Sequence, residues 1–382
     1  MQEKGKKSPP KRVQKTSPPD LFFLTVVIML TVFGFMMLSS ASSDIGARNF
    51  GDSYYYIKNQ FLHFLLAGIP GFLVGFFMPY RWFKKIAAPF LGLALVLLLL
   101  VFVPGLGVTV KGASRWVAVG GFTFQPGEVM KLAIIIFFSA WLSASRERAK
   151  SVSKGLIPFL FVLGVVMLVF LLQPSTTITL IVAAASLIVY FVNGLSLKHF
   201  GVVCLVGLLL FGVFISTTPY RFERVKTFVV QMAGQGDKEF ARDENYQLQK
   251  TLRALQFGGL FGRGFGDAET KTTIPEVVGD AIFAVVGEEF GFLGSLFVIA
   301  LFATFVWRGF YLARRVSDDF GKSLIIGFVS MIAIQSVVNI GATSGLIPFT
   351  GVPLPFMSYG GTALAVFLTM SGIIANISRY RR

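Results

Sequence analysis

Charged residues are scarce in this chain. Asp, Glu, Lys and Arg make up 14% of the 382 residues, where a soluble globular domain carries about 25%, and that shortage argues against a soluble enzyme. Cysteine occurs once, as Cys204 inside an apolar run, so no internal disulfide and no cysteine-based zinc cluster can form. A buried small hydrophobe is the role left to it. Histidine occurs twice, and neither His63 nor His199 has partners at ligand spacing; both read as structural or interfacial residues rather than metal ligands. The apolar richness of the remainder excludes a disordered chain and a collagen repeat.

What is abundant is apolar and aromatic. The apolar residues reach 54%, Phe alone numbers 42, and mean hydropathy is +0.71. Apolar stretches lie near 21–42, 59–78, 86–103, 129–143, 156–173, 176–193, 200–216, 282–311, 322–342 and 359–377. About 20 residues cross a hydrocarbon core, so the sequence predicts an all-α polytopic membrane protein with about ten transmembrane helices, forming a single membrane domain over 21–382.

The formal net charge of +16 raises the question of nucleic acid. The cations, however, are distributed over short loops. With the amino terminus inside, Lys4 to Lys15, Arg81 to Lys85, Arg146 to Lys154, Lys198, Arg308 to Lys322 and Arg379 to Arg382 fall on one side, as the positive-inside rule requires. Both termini are therefore expected in the cytoplasm and no nucleic-acid partner is expected. Residues 1–20, with four prolines and six Lys or Arg, read as a disordered basic tail. The apolar run after it, ending in small residues at Ser39 to Ser43, mimics a signal peptide but reads better as an uncleaved anchor, because nine further spans follow.

The informative polar residues gather on the other side. From Lys111 through Arg115 and Trp116 to Gln125, Pro126, Glu128 and Lys131 the chain is polar and glycine-rich, then opens a helix with Pro126 in its first turn. A second segment, about 217–281, is an expected extracytoplasmic loop between the seventh and eighth spans. A loop of that length in a compact protein is functional or disordered, and apolar residues at Leu248, Leu252, Leu255, Phe257 and Leu260 favour function. Residues 244–257 read as an interfacial amphipathic helix. Gly258, Gly259, Gly262, Gly264 and Gly266 then form a turn holding Arg263 and followed by Lys271; it is either a phosphate cradle of backbone amides or a hinge. Asp280 stands where this loop enters the eighth span, and Glu288 lies about 12 Å further along the helix. Carboxylates at that depth are costly and usually paired or functional. Glu288 and Glu289 are open to a packing or ion-pair role with Arg115 or Lys131, and Asp280 to a helix-capping one.

Gln173, Gln335, Asn339 and Ser358 complete the polar set. The run from Gly345 to Thr362, dense in proline and glycine, forbids a regular helix, and irregular backbone at membrane depth survives only when buried in protein or lining a cavity.

Taken in order, Arg115-Trp116, Gln125-Pro126 with Glu128 and Lys131, Gln173-Pro174, Pro219 to Val225, Tyr246-Gln247, the glycine turn, Pro275-Glu276, Asp280, Glu288-Glu289 and Pro353 to Gly361 resemble the shape, elongation, division and sporulation family of peptidoglycan polymerases along nearly the whole chain. Gly127, Ser175, Gly279 and Ala281 depart from the pattern. Asn339 to Pro348 and Pro219 to Arg221 are similar to the division-type, FtsW-like branch more than to the RodA-like one.

The resemblance implies polymerisation of lipid II into glycan strands on the outer face of the bacterial cytoplasmic (inner) membrane, at the division septum. It also implies a partner class B penicillin-binding protein and other divisome proteins. Asp280 matches the family's essential aspartate and would act as general base. Arg115, Lys131, Arg263 and Lys271 would offset the charge of the departing pyrophosphate, with Glu128, Glu288, Gln335, Asn339 and Ser358 also contacting substrate. The pattern requires no cofactor; a divalent cation, Mg or Mn, is left open as an aid to the departing charge, and the sequence identifies no ligands for it. A lipid II flippase and a non-catalytic divisome scaffold are the alternatives. A transporter should spread its charges near midplane and along both faces of a path, whereas here they are one-sided.

Overall fold

The computed structural model describes residues 17–381, apart from 111, 112 and 121 and, within 217–242, all but 222, 226, 228 and 229. The tail at 1–16, Pro219 to Arg221 and Asp237 thus lie outside the described residues. Ser17 and Asp20, at the end of the expected tail, are tied down: the Ser17 N–H donates to the Arg379 carbonyl at 2.8 Å and the Asp20 N–H to Ser378 Oγ at 2.9 Å.

Each apolar run folds into a helix. They are α1 (Leu21–Phe50), α2 (Tyr55–Phe77), α3 (Arg81–Phe102), α4 (Pro126–Leu142), α5 (Val152–Leu172), α6 (Thr176–Asn193), α7 (Leu197–Ser216), α9 (Ile282–Arg315), α10 (Asp319–Thr343) and α11 (Gly361–Ser378). Eight are long and apolar enough to cross a membrane. The two that fall short of that measure are α4, with 17 residues carrying Glu128 and Lys131, and α7, whose apolar stretch is only Leu197–Gly212. The expected amphipathic segment is α8 (Asp243–Gly258), which packs on α9 rather than standing alone.

The burial pattern is that of a multi-pass membrane protein. Large apolar side chains such as Phe161 and Leu208 are exposed around the bundle, as is Cys204, which was expected to be buried, while Glu128, Lys131, Glu288, Gln335 and Asn339 are buried within it. Without water to compete, polar groups are satisfied from inside.

An all-α expectation needs one correction. Gly107–Val110, Ala113–Val119 and Phe122–Phe124 form an antiparallel sheet in the order β1-β2-β3 between α3 and α4. Its β-branched content at Val108, Thr109, Val110, Val117, Val119 and Thr123 suits a pleated, half-buried surface. The glycines and Arg115 had pointed to irregular loop instead.

Candidate active site around Asp280

Asp280 closes a compact loop immediately before α9. Its N–H and that of Gly279 both donate to the Glu276 carbonyl at 3.0 Å, and the Tyr359 N–H donates to the Val278 carbonyl at 2.8 Å. Asn339 Nδ2 donates to the Asp280 carbonyl at 2.8 Å. Val277, Val278 and Ala281 are buried beneath, while Asp280 is half-buried. The α9 N-cap is Ala281, one residue later, and offers no capping side chain. The carboxylate faces the 345–360 loop closely enough that a Cβ added to Gly351 would lie 3.2 Å from Asp280 Oδ2.

Ten residues into α9 the helix breaks at Gly291, with φ 68° and ψ −160°. A straight helix would pair the Phe292 and Leu293 N–H groups with the Glu288 and Glu289 carbonyls. Here the glycine turn supplies all four replacements. Arg263 N–H and Gly264 N–H donate to the Glu288 and Glu289 carbonyls, each at 3.0 Å; Phe292 N–H and Leu293 N–H donate to the Gly259 and Leu260 carbonyls at 2.9 and 3.2 Å. Backbones this close leave no room for side chains: a Cβ at Gly262 would overlap the Glu289 carbonyl, and one at Gly258 the Gly287 carbonyl. The glycine turn is thus an insertion into a helix ladder. Four of the amides that could have cradled a phosphate, those of Gly259, Gly262, Arg263 and Gly264, are occupied.

The carboxylates beside the break are matched. Glu288 accepts from the Glu269 N–H at 2.9 Å, the Thr270 N–H at 3.2 Å and the Thr270 hydroxyl. Glu289 accepts from Ser40 Oγ of α1. Neither pairs with Arg115 or Lys131, so the expected ion pairs give way to amide and hydroxyl donors, which neutralise a buried carboxylate without burying a second charge.

Lys131 is wholly buried and meets Glu128 Oε2 at 2.7 Å, one turn earlier on α4. It also donates to Gln335 Oε1 at 2.8 Å and lies 5.0 Å from the Phe367 ring centroid. Gln335 Nε2 donates to the Pro353 carbonyl at 2.8 Å. One turn on, Asn339 Nδ2 donates to the Val352 carbonyl at 2.7 Å. A continuous polar thread therefore runs from Glu128 to the backbone of Asp280.

The order of these features along the chain matches the FTSW_RODA_SPOVE family, described as cell cycle protein, over residues 20–382. The chain belongs to this family. It is 34% identical over 372 residues, 96% of this chain and 99% of the relative, to stage V sporulation protein E of Bacillus subtilis (strain 168). It is 36% identical over 360 residues, 94% and 93% of the two chains, to the "Probable peptidoglycan glycosyltransferase FtsW" of Trichlorobacter lovleyi. Among solved structures it resembles a chain of a complex described under "Structural coordination of polymerization and crosslinking by a peptidoglycan synthase complex". That likeness has a TM-score of 0.78 and 27% identity, covering 94% of this chain and 98% of the other. The Thermus thermophilus rod shape determining protein RodA gives a TM-score of 0.70 and 26% identity, over 95% and 97%.

Within this family frame, Glu128, Lys131, Gln335, Asn339, Ser358 and Asp280 converge on one end of the bundle through α4, α10 and the 345–360 loop. Ser358 Oγ accepts from the Leu354 N–H at 2.8 Å and so closes that loop on itself. Arg115 points to a different junction: Nε donates to the Gln173 carbonyl at 3.3 Å and the guanidinium also reaches the Pro174 carbonyl, at the turn joining α5 to α6. Arg263 and Lys271 sit in an open polar cleft of about 560 Å³ shared with Asp44, Asp267 and Glu269. There Arg263 pairs with Glu269, and Lys271 Nζ donates to the Gly266 carbonyl at 2.8 Å and meets Asp44 at 3.4 Å. Among the described residues no group of three His, Cys, Asp or Glu could hold a metal ion.

Several participants carried no signal in the sequence. Ser40 belongs to a run of small residues that looked like a cleavage site. Asp44 and Thr270 were two unremarkable polar residues. Gln60, whose Oε1 accepts from the Gly360 N–H at 3.0 Å, is separated from its partner by 300 positions. Only three-dimensional proximity defines these pairs.

Proposed function

We propose that this chain polymerises lipid II into glycan strands as a peptidoglycan glycosyltransferase, with Asp280 as general base. The observation that carries the reading is the placement of Asp280: anchored through its own N–H and carbonyl at the entry to α9, half-buried, and facing the 345–360 loop at Gly351. Membership of the family, and relatives named as peptidoglycan glycosyltransferase, support it. In the reaction the Asp280 carboxylate accepts the proton of the acceptor sugar 4-hydroxyl as that oxygen bonds to the anomeric carbon of the growing strand. The bond from that carbon to the lipid pyrophosphate breaks with inversion, and the departing group carries off the electron pair. Lys271 and Arg263, which line the open cleft, are the cations that would offset its charge.

The same reading takes ten helices across the bacterial cytoplasmic membrane, with both termini in the cytoplasm and residues 217–281 outside. It places the protein at the septum beside a class B penicillin-binding protein and divisome partners, in the FtsW-like branch on the strength of Asn339 to Pro348. The synthase complex among the structural neighbours supports a partner of that kind. The test is polymerisation of fluorescent lipid II by purified protein, with and without the partner transpeptidase. Asp280→Asn removes the proton acceptor but keeps size and capping capacity. It should fold and bind the partner while losing about 100- to 10,000-fold in rate; near-normal glycan synthesis would end the assignment and leave the flippase and scaffold readings.

A further inference from the structure

We propose that Asn339 is a positioning residue for the reaction: its carboxamide fixes Asp280 relative to the 345–360 loop. The inference rests on Asp280 being the base. Asn339 is 0% exposed. Its single Nδ2 atom donates to the Asp280 carbonyl at 2.8 Å and to the Val352 carbonyl at 2.7 Å. One nitrogen thus joins two irregular segments, the one that ends at Asp280 and the 345–360 loop. The amide cannot be turned the other way, because its oxygen would then face two carbonyl oxygens.

What the link controls is the setting of the carboxylate. Gly351, the neighbour of Val352, faces Asp280 Oδ2 so closely that a Cβ there would stand 3.2 Å away. Holding Val352 and Asp280 to the same nitrogen therefore holds the carboxylate against the Gly351 backbone. Gln335, one turn earlier on the same helix face, repeats the device: it binds the Pro353 carbonyl and receives Lys131, so the loop is fixed at two consecutive carbonyls. The loop has other anchors, including Tyr359 N–H on the Val278 carbonyl and Gly360 N–H on Gln60. Losing Asn339 should thus shift the base without releasing the loop. The side-chain amides of Gln335 and Asn339 are thus engaged with backbone carbonyls of the loop and of Asp280.

The test measures kcat and KM for lipid II polymerisation by the purified protein with its partner, per folded protein, for Asn339→Ala, Asn339→Asp and Gly351→Ala beside Asp280→Asn. A displacement of about 1 Å at a reacting group costs about 100-fold. Asn339→Ala should accordingly lose between about 10- and 100-fold in kcat with KM within about twofold. Asn339→Asp should show an altered pH profile: its carboxylate faces two carbonyls, whereas the protonated acid can donate to one, so its rate relative to the parent rises as pH falls. A residue that only stabilises the fold would change the folded yield and leave both readouts alone. Gly351→Ala, which needs no unusual backbone angle, crowds the same carboxylate and should lower kcat even if Asn339→Ala fails to fold. Parental kcat in Asn339→Ala or Gly351→Ala, or a raised KM at unchanged kcat, overturns the positioning role while an inactive Asp280→Asn keeps the base. An active Asp280→Asn removes the base itself.

Discussion

Replacing Lys131 by Met removes the ammonium paired with Glu128 in the core of the bundle. Both side chains are sealed, at 0% and 1% exposure, and their charged atoms are 2.7 Å apart. Met fills nearly the same volume, so the loss is electrostatic rather than one of packing. Breaking a buried pair by removing one member costs about 3–5 kcal/mol, because the remaining charge is left without compensation. Gln335 Oε1 also loses its donor, a further cost of about 1–3 kcal/mol for an unsatisfied buried acceptor. The combined substitution Glu128→Leu with Lys131→Met deletes both charges and should recover most of the stability, since apolar replacement of a buried pair is often neutral or stabilising by about 1–4 kcal/mol. The assay is thermal unfolding in detergent, followed by tryptophan fluorescence and by loss of the monodisperse species. The single variant should melt well below the parent and the double variant between the two. A single variant as stable as the parent would refute the argument, because it would mean that Glu128 gives up its charge at no cost.

Three other outcomes are expected. Gly262→Ala or Gly291→Ala, each at positive φ with its Cβ against backbone of the partner segment, should destabilise the protein by more than about 1 kcal/mol and expose the 258–266 segment to protease; unchanged melting and protease resistance would deny the helix insertion. For Asp20, burial alone would raise the carboxyl, but the Arg308 and Phe23 hydrogen bonds and the charges of Arg308 and Arg381 outweigh it and hold it below the ordinary carboxylate range. That contribution is present above the ordinary range and is lost as pH falls through the depressed value, so the parent should lose more stability on acidification than Asp20→Asn; parallel profiles would contradict it. In a chain with Cys204 replaced, a membrane-impermeant thiol reagent applied to intact cells should label Asp237→Cys and spare Ser151→Cys, and the reverse would invert the topology.

Much of the helical layout was legible because one physical requirement dominates it. Hydrocarbon leaves a helix no choice but to carry a long apolar run, and each such run became a helix. The small sheet at 107–124 was not legible, since its glycines and Arg115 speak for loop and its strands are only three to seven residues long. In the site, Glu128 with Lys131 and Gln335 with Asn339 could be paired by helical spacing. Their partners at Val352, Pro353 and Asp280 are backbone carbonyls, which any residue supplies and which no sequence pattern marks. The glycine turn shows the limit most clearly. Five glycines announced a backbone in tight quarters, but whether the neighbour was a phosphate or a broken helix depended on where α9 passes.

The distribution of carboxylates also separates support from chemistry. Glu128 is held by an ammonium, Glu288 by two amides and a hydroxyl, and Glu289 by a serine, and all three are at most 1% exposed. Carboxylates so enclosed present almost no surface to a sugar hydroxyl. Asp280 is arranged differently. Its backbone is anchored through its own N–H and carbonyl, on Glu276 and Asn339, which fixes the point from which the side chain projects. It is also the member of this group left half-buried, where a sugar hydroxyl can arrive. Rigid backbone with an accessible side chain is what a general base requires, and the buried carboxylates around it supply the rigidity: Glu288 and Glu289 by fastening the loop that leads into α9, and Glu128 by fixing the lysine on which Gln335 and the 345–360 loop depend.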